Sequence, residues 1–213
     1  MKLYIFAFLF LIFNGITAQK KEYLSIKKGE FPEGIYMTLE EVLQKTPSSA
    51  EDIYFKTAVK NDAATLPDKV FFYDKQDDRK IRKPLAVSYK GEMYFQTFRK
   101  YTNKEDKTYE ADVYSRFCKV LSYGRFLYFE ESVRSIWNKG LLSELNSLTQ
   151  LISGNNKGIV LDLKNKELNI FRDCDDFNDF LFEHEIPSAQ CDPDRFTLKD
   201  LRKKIDELNA SYQ

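Results

Sequence analysis

The stretch Ile159-Val160-Leu161-Asp162-Leu163-Lys164-Asn165-Lys166-Glu167-Leu168-Asn169-Ile170-Phe171 decides the architecture. Two apolar runs flank a polar Lys164-Asn165-Lys166 turn, which reads as a β-hairpin. Directly after it the period changes. Phe177, Phe180, Leu181 and His184 recur at i, i+3, i+4 and i+7 behind an acidic start, which predicts a helix, with Pro187 beyond its end. A second helix opens at Thr197 as N-cap, with Asp200 at N3 and Phe196 placed to staple onto Leu201. Its buried stripe is Leu198, Leu201, Ile205 and Leu208.

Further upstream the same two periods recur. Leu85 to Phe98 reads as a hairpin around Lys90-Gly91, and Val113 to Phe129 as another around Tyr123-Gly124. Ile53 to Val59 and Val70 to Tyr73 alternate as strands. Thr38 caps a short helix with Glu41 at N3. Met37 is placed to staple onto Val42, and Thr46-Pro47 ends the helix. Leu141 to Ile152 carries leucines at helical spacing. Strand runs followed by helices predict an α+β fold: an antiparallel, hairpin-built sheet of about six to eight strands, a short N-terminal helix and two C-terminal helices.

Residues 1–18 read as a signal peptide. Lys2 precedes the apolar run Leu3–Phe13, Asn14-Gly15 breaks it, and small residues lead to Ala18-Gln19. The run is short for a membrane span, which takes about 20 apolar residues. No cysteine follows it, so a lipid anchor is not expected. Residues 19–33 form a polar N-terminal segment and residues 34–213 a single domain. A periplasmic or secreted protein is expected, with no stable membrane insertion once the signal is cleaved.

The chain has 213 residues, with 33 Lys plus Arg against 33 Asp plus Glu, so it lacks the basic excess of a nucleic-acid binder. Hydrophobic residues at 43% exclude a disordered chain. An oxidising compartment gives weight to the cysteines Cys118, Cys174 and Cys191. Cys174 and Cys191 bracket a helix and a turn; the spacing allows a bridge, and the alternative is two free buried thiols. Cys118 reads as a small buried hydrophobe in a strand.

Chemistry is sparse. The single histidine, His184, lies on an apolar helical stripe and reads as a core residue. No local motif supports a Cys118–His184 pair. Asp173, Asp175, Asp176, Asn178 and Asp179 are acidic enough for a Ca²⁺ loop, but Asn178 stands where that loop needs glycine, and helix capping accounts for them. No metal-ligand spacing, phosphate-binding loop or G-x-S-x-G motif occurs, so no catalytic, metal or cofactor-binding residue is assigned and no cofactor is expected. The basic stretch Lys80-Ile81-Arg82-Lys83 reads as a solvated strand end. Alternating Tyr and Phe read first as core, with a sugar-stacking platform as the alternative.

Gly34-Ile35-Tyr36, Thr38, Glu40-Glu41 and Pro47-Ser48 together make a G-I-Y-x-T-x-E-E…P-S opening. This opening resembles that of small exported proteins of unknown function in Gram-negative bacteria. Tyr89-Lys90-Gly91-Glu92-Met93-Tyr94, Gly124 to Phe129 and Val160 to Leu163 are similar to later parts of that pattern. Where those proteins carry Trp-Gly before the first hairpin, this chain has Leu85-Ala86-Val87. The resemblance carries no activity and no site residues. Three functions are in competition. One is a non-enzymatic binding module for an envelope or extracellular protein or polymer. Another is a hydrolase of an extracellular polymer using an unidentified carboxylate pair. The third is an inhibitor or chaperone-like partner. A deep groove with two carboxyl groups favours the hydrolase; a filled core with a shallow aromatic face favours binding.

Overall fold

The computed structural model describes residues 24–50, 52–57, 66–111, 116–135, 156–191 and 196–212. The signal segment 1–18 and the Leu141–Ile152 stripe lie outside these residues. In chain order the elements are β1 (Gly34–Tyr36), α1 (Leu39–Gln44), β2 (Ile53–Lys56), β3 (Lys69–Asp74), β4 (Ala86–Tyr89), β5 (Glu92–Phe95), β6 (Tyr109–Ala111), β7 (Phe117–Lys119), β8 (Phe126–Ser135), β9 (Asn156–Asp162), β10 (Glu167–Phe171), α2 (Cys174–Glu183) and α3 (Leu198–Ser211). This is the α+β class expected, with one short helix near the N-terminal end and two C-terminal helices.

The strands form two antiparallel sheets, ordered β1-β4-β5-β7-β3-β2 and β10-β9-β8-β6. The β4–β5 hairpin turns at Lys90-Gly91, both at positive φ, and β9–β10 turns where the polar triplet predicts. The expected Val113–Phe129 hairpin is reduced to one antiparallel bridge, Ser122 with Tyr128, and its residues 112–115 lie outside the described residues. Its first strand, β7, pairs with β3 and β5 in the first sheet, whereas its second, β8, pairs with β9 and β6 in the other. Val120 to Arg125 is a corner between sheets, where Val120 N–H donates to Met93 O and Leu121 N–H donates to Tyr128 O. One sheet of six to eight strands is therefore replaced by two sheets.

Period-two alternation sorts the side chains into three cores. Ile35, Ile53, Val70, Phe72, Val87, Tyr94 and Phe117 cluster on one face of the first sheet. They include residues of both edge strands, β1 and β2, so this sheet curls around its own core. Its opposite face supplies Tyr36, Ala86, Met93, Phe95 and Cys118 to a core shared with Leu127, Phe129, Ile159, Leu161, Leu168 and Ile170 of the second sheet. Phe95 stacks on Phe129 across the two sheets at 5.7 Å, a contact worth about 0.5–1.5 kcal/mol beyond its burial. On the far side of the second sheet Phe126, Tyr128, Val160 and Phe171 pack against Phe177, Phe180 and Leu181 of α2 and Leu201 and Ile205 of α3. The irregular stretch 24–33 adds Ile26 and Phe31 to the inter-sheet core, and Ile26 N–H donates to Gly124 O.

Helices α1 and α3 start on the caps the sequence names, and α2 starts on Asp173 of the acidic cluster read as capping. Thr38, Asp173 and Thr197 accept from the N–H groups of Glu41, Asp176 and Asp200. The Met37–Val42 staple is absent: Met37 is 39% exposed, and its N–H instead donates to the Glu41 carboxylate at 2.6 Å.

Candidate functional site

The G-I-Y-x-T-x-E-E…P-S opening is a structural knot. Glu41 accepts from Met37 N–H and from the Ser48 hydroxyl, both at 2.6 Å, and Ile35 exchanges backbone bonds with Ser48 and Ser49. Hydrogen bonds from Ser48, Met37 and Thr38 outweigh burial and hold the Glu41 carboxyl below its ordinary pKa. Gly34 is required because a Cβ would collide with Ser49 O and Pro47, and its φ is positive. These residues bind the start of the domain together.

Two charged clusters are sealed inside. Between the sheets, the carboxylate of Glu131 (0% exposed) accepts from Arg116 Nε at 3.1 Å, Ser132 N at 2.8 Å and the Cys118 thiol at 2.9 Å. Burial and the neighbouring carboxylate push the Cys118 thiol up, so it is not a nucleophile near neutral pH. Beneath α2, His184 Nδ1 lies 3.2 Å from Arg125 Nη2. Guanidinium only donates, so Nδ1 accepts and the ring proton sits on Nε2. Nε2 lies 2.9 Å from Asp162 Oδ2, a close polar contact poorly aligned as a hydrogen bond. Tyr212 stacks over the Arg125 guanidinium at 4.5 Å. The side chains of His184 and Asp162 are 1% and 0% exposed, which leaves no path for a substrate. Cys118 and His184 occupy opposite faces of the second sheet, so they form no catalytic pair.

The other sequence-selected residues are structural as well. Asp173 caps α2 and Asp176 pairs with Arg172. Among the described residues no group of three His, Cys, Asp or Glu side chains is arranged to hold a metal ion. Cys174 and Cys191 stand at disulfide distance, with Cα atoms 6.2 Å apart, and tie the start of α2 to the loop before α3. No helix among the described residues is long and apolar enough to cross a membrane.

Among the described residues the accessible surface offers several clefts and one face. A cleft of about 70 Å³ lies between the 103–106 loop, β10 and α2, lined by Asp106, Asn169, Arg172, Asp176 and Glu183. Its volume is far below the roughly 300–1,000 Å³ of small-molecule sites. A cleft of about 330 Å³ at the β1–β2 side carries Glu33 and Asp52. Both are exposed, and Asp52 pairs with Lys75. A groove of about 410 Å³ runs between α2, α3 and residues 187–190.

The face is the outer side of β2 and β3. Register places Tyr54 opposite Tyr73 and Lys56 opposite Phe71. The two tyrosine rings lie 5.6 Å apart, Lys56 Nζ sits 4.1 Å over Tyr73, and Lys80 Nζ sits 3.7 Å over Phe71. Asp78 accepts from the Tyr54 hydroxyl and from Lys56. Hydrogen bonding to Tyr54 and then Asp78 raises the Lys56 pKa, whereas burial and then Arg82 lower that of Lys80. Tyr54, Phe71 and Tyr73 are half-buried and belong to none of the three cores. Alternation placed these aromatics on strands and left a stacking platform as the alternative to core; what it does not show is Lys56 and Lys80 brought onto one side of a paired β2 and β3.

The described chain is thus a two-sheet α+β domain with a helical layer and two interior polar clusters, around Glu131 and around His184. It belongs to the Family of unknown function (DUF6563), whose profile matches residues 34–173, from β1 to the residue that caps α2. No curated protein and no solved structure matches the chain.

Proposed function

We propose that this chain is an extracytoplasmic, non-enzymatic binding module that engages an envelope or extracellular protein or polymer through the outer face of β2 and β3. The observation that carries this reading is the Tyr54–Tyr73–Phe71 platform with Lys56 and Lys80 laid over its rings. Aromatic faces flanked by cations suit stacking on sugar rings and contact with anionic groups. The Cys174–Cys191 pair supports an oxidising compartment. Hydrolysis draws less support. Acid–base catalysis needs one carboxyl shielded from water and one solvated, with substrate room between them. The small cleft lacks the room, and the larger β1–β2 cleft holds only exposed acids.

The test is co-sedimentation of the purified protein with isolated cell-wall polymer and with outer-membrane vesicles. Wild type is expected to pellet with one of these, and the Tyr54→Ala/Tyr73→Ala variant to lose at least tenfold in the bound fraction while keeping its circular dichroism. Equal retention of the two proteins, or release of reducing ends from the polymer, contradicts the proposal.

A further inference from the structure

The outer edge of β10 is covered by a loop that imitates a strand. Leu168 N–H donates to Tyr101 O at 2.8 Å, and Asn103 N–H donates to Leu168 O at 2.8 Å. The next outward donor, Ile170 N–H, meets no backbone carbonyl; the Asp106 carboxylate takes it at 2.9 Å. A carboxylate therefore completes the edge ladder, and the residue that carries it is only 8% exposed. An uncovered edge is a template for pairing with another chain, so what holds this loop down also decides whether the edge is offered.

We infer that residues 98–107 form a pH-responsive cover on this edge, tightest when Asp106 is protonated and looser when it is ionised. Either form of the carboxyl keeps an oxygen for Ile170 N–H, so protonation preserves the bond and removes the buried charge. The groups around Asp106 make ionisation costly. Its own loop brings Glu105, and β10 begins with Glu167. Helix α2 contributes Asp176, Asp179 and Glu183 to the cleft wall. Arg172 is the one cation lining the cleft, and it is engaged by Asp176 and the β6 residue Tyr109. Burial, with Asp176 and Glu105 adding to it, outweighs Ile170 N–H and Arg172 and raises the Asp106 carboxyl from 3.8 to about 6.

A carboxyl raised on folding binds a proton in the docked loop that it lacks in the open one, between pH 3.8 and about 6. Docking is strongest below that window, weakens as pH rises through it, and reaches its floor above about pH 6. A shift of this size limits the effect to about a hundredfold in the docking equilibrium, less whatever solvent screens at the cleft mouth.

Amide hydrogen exchange on the full chain tests the inference. Protection factors, corrected for intrinsic rates, are measured between pH 4.5 and 7.5 for Leu168, Ile170 and Asn103, with Leu127 and Leu161 of the β8–β9 pair as interior references. The edge amides are expected to lose about 10- to 100-fold of protection over this range while the references hold. Asp106→Asn, which fixes the neutral state, is expected to keep the acid-form protection at every pH. The carbon-13 titration of the wild-type Asp106 carboxyl needs no variant and is expected to have its midpoint near pH 6. Flat edge protection in wild type, the same fall in Asp106→Asn, or a carboxyl midpoint near 4 overturns the inference.

Discussion

Replacing Asn209 by alanine removes a side chain that substitutes for a strand. On the side of β8 facing away from β9, Phe126 N–H donates to Asn209 Oδ1 at 3.0 Å and Phe126 O accepts from Asn209 Nδ2 at 2.9 Å. The same Nδ2 reaches the Ser122 hydroxyl at 3.0 Å. Phe126 is 0% exposed and Asn209 2% exposed, so neither backbone group has water as a substitute. Leaving a buried donor or acceptor unmet costs about 1–3 kcal/mol, so two such groups predict a loss of about 2–6 kcal/mol for Asn209→Ala. Urea unfolding followed by tryptophan fluorescence and circular dichroism measures it, and an unchanged m-value assigns the loss to the folded state. Gly124 supplies the coupling control, since Asn209 occupies the space its Cβ would need. Gly124→Ala is therefore expected to cost at least ~1 kcal/mol less in an Asn209→Gly background, which clears Cβ as well as Cγ and Oδ1, than in wild type. A loss under about 1 kcal/mol for Asn209→Ala, or strict additivity in the cycle, would refute the reasoning.

Four further outcomes are expected. Unfolded without reductant, the protein should show one free thiol per chain, at Cys118. Cys174→Ser should lower stability by about 3 kcal/mol in the chain-entropy account of a 17-residue loop. Glu131→Ala removes the carboxylate on which Arg116, Cys118 and Ser132 converge and should cost about 3 kcal/mol in denaturant titration. Iodoacetamide at pH 8 should leave Cys118 unmodified in the folded protein and label it fully in urea, because burial holds its thiol protonated; rapid labelling of the native chain would contradict its placement.

Much of this architecture follows from local pattern. Lys90-Gly91 and Lys164 to Lys166 announce their hairpins by turn chemistry, Thr38 and Thr197 announce their helices by caps, and α2 is announced by its acidic start. The partition into two sheets is different. Alternation tells which residues share a face of a strand but not which strand lies beside it, so β7 and β8 read as partners although they belong to separate sheets. The edge-covering side chains were hidden for the same reason: Asp106 meets Ile170 across 64 residues and Asn209 meets Phe126 across 83. One signal was available. Leu127, Phe129, Glu131 and Val133 share one phase of β8, which puts Glu131 in the inter-sheet core, yet Glu130-Glu131 reads locally as the polar end of the strand. His184 was legible as a core residue, whereas its partners Arg125 and Asp162 come from other elements.

The central claim, a binding face on β2 and β3, is tested most directly by placing a photo-crosslinking amino acid at Tyr73 and irradiating intact producing cells. A matched substitution at Phe182, 81% exposed on α2, serves as the reference surface. The account predicts a discrete adduct from position 73, absent from position 182 and lost when Tyr54 is also replaced by alanine. Equal adducts from the two positions, or none from position 73 while the protein is exported and folded, would contradict it.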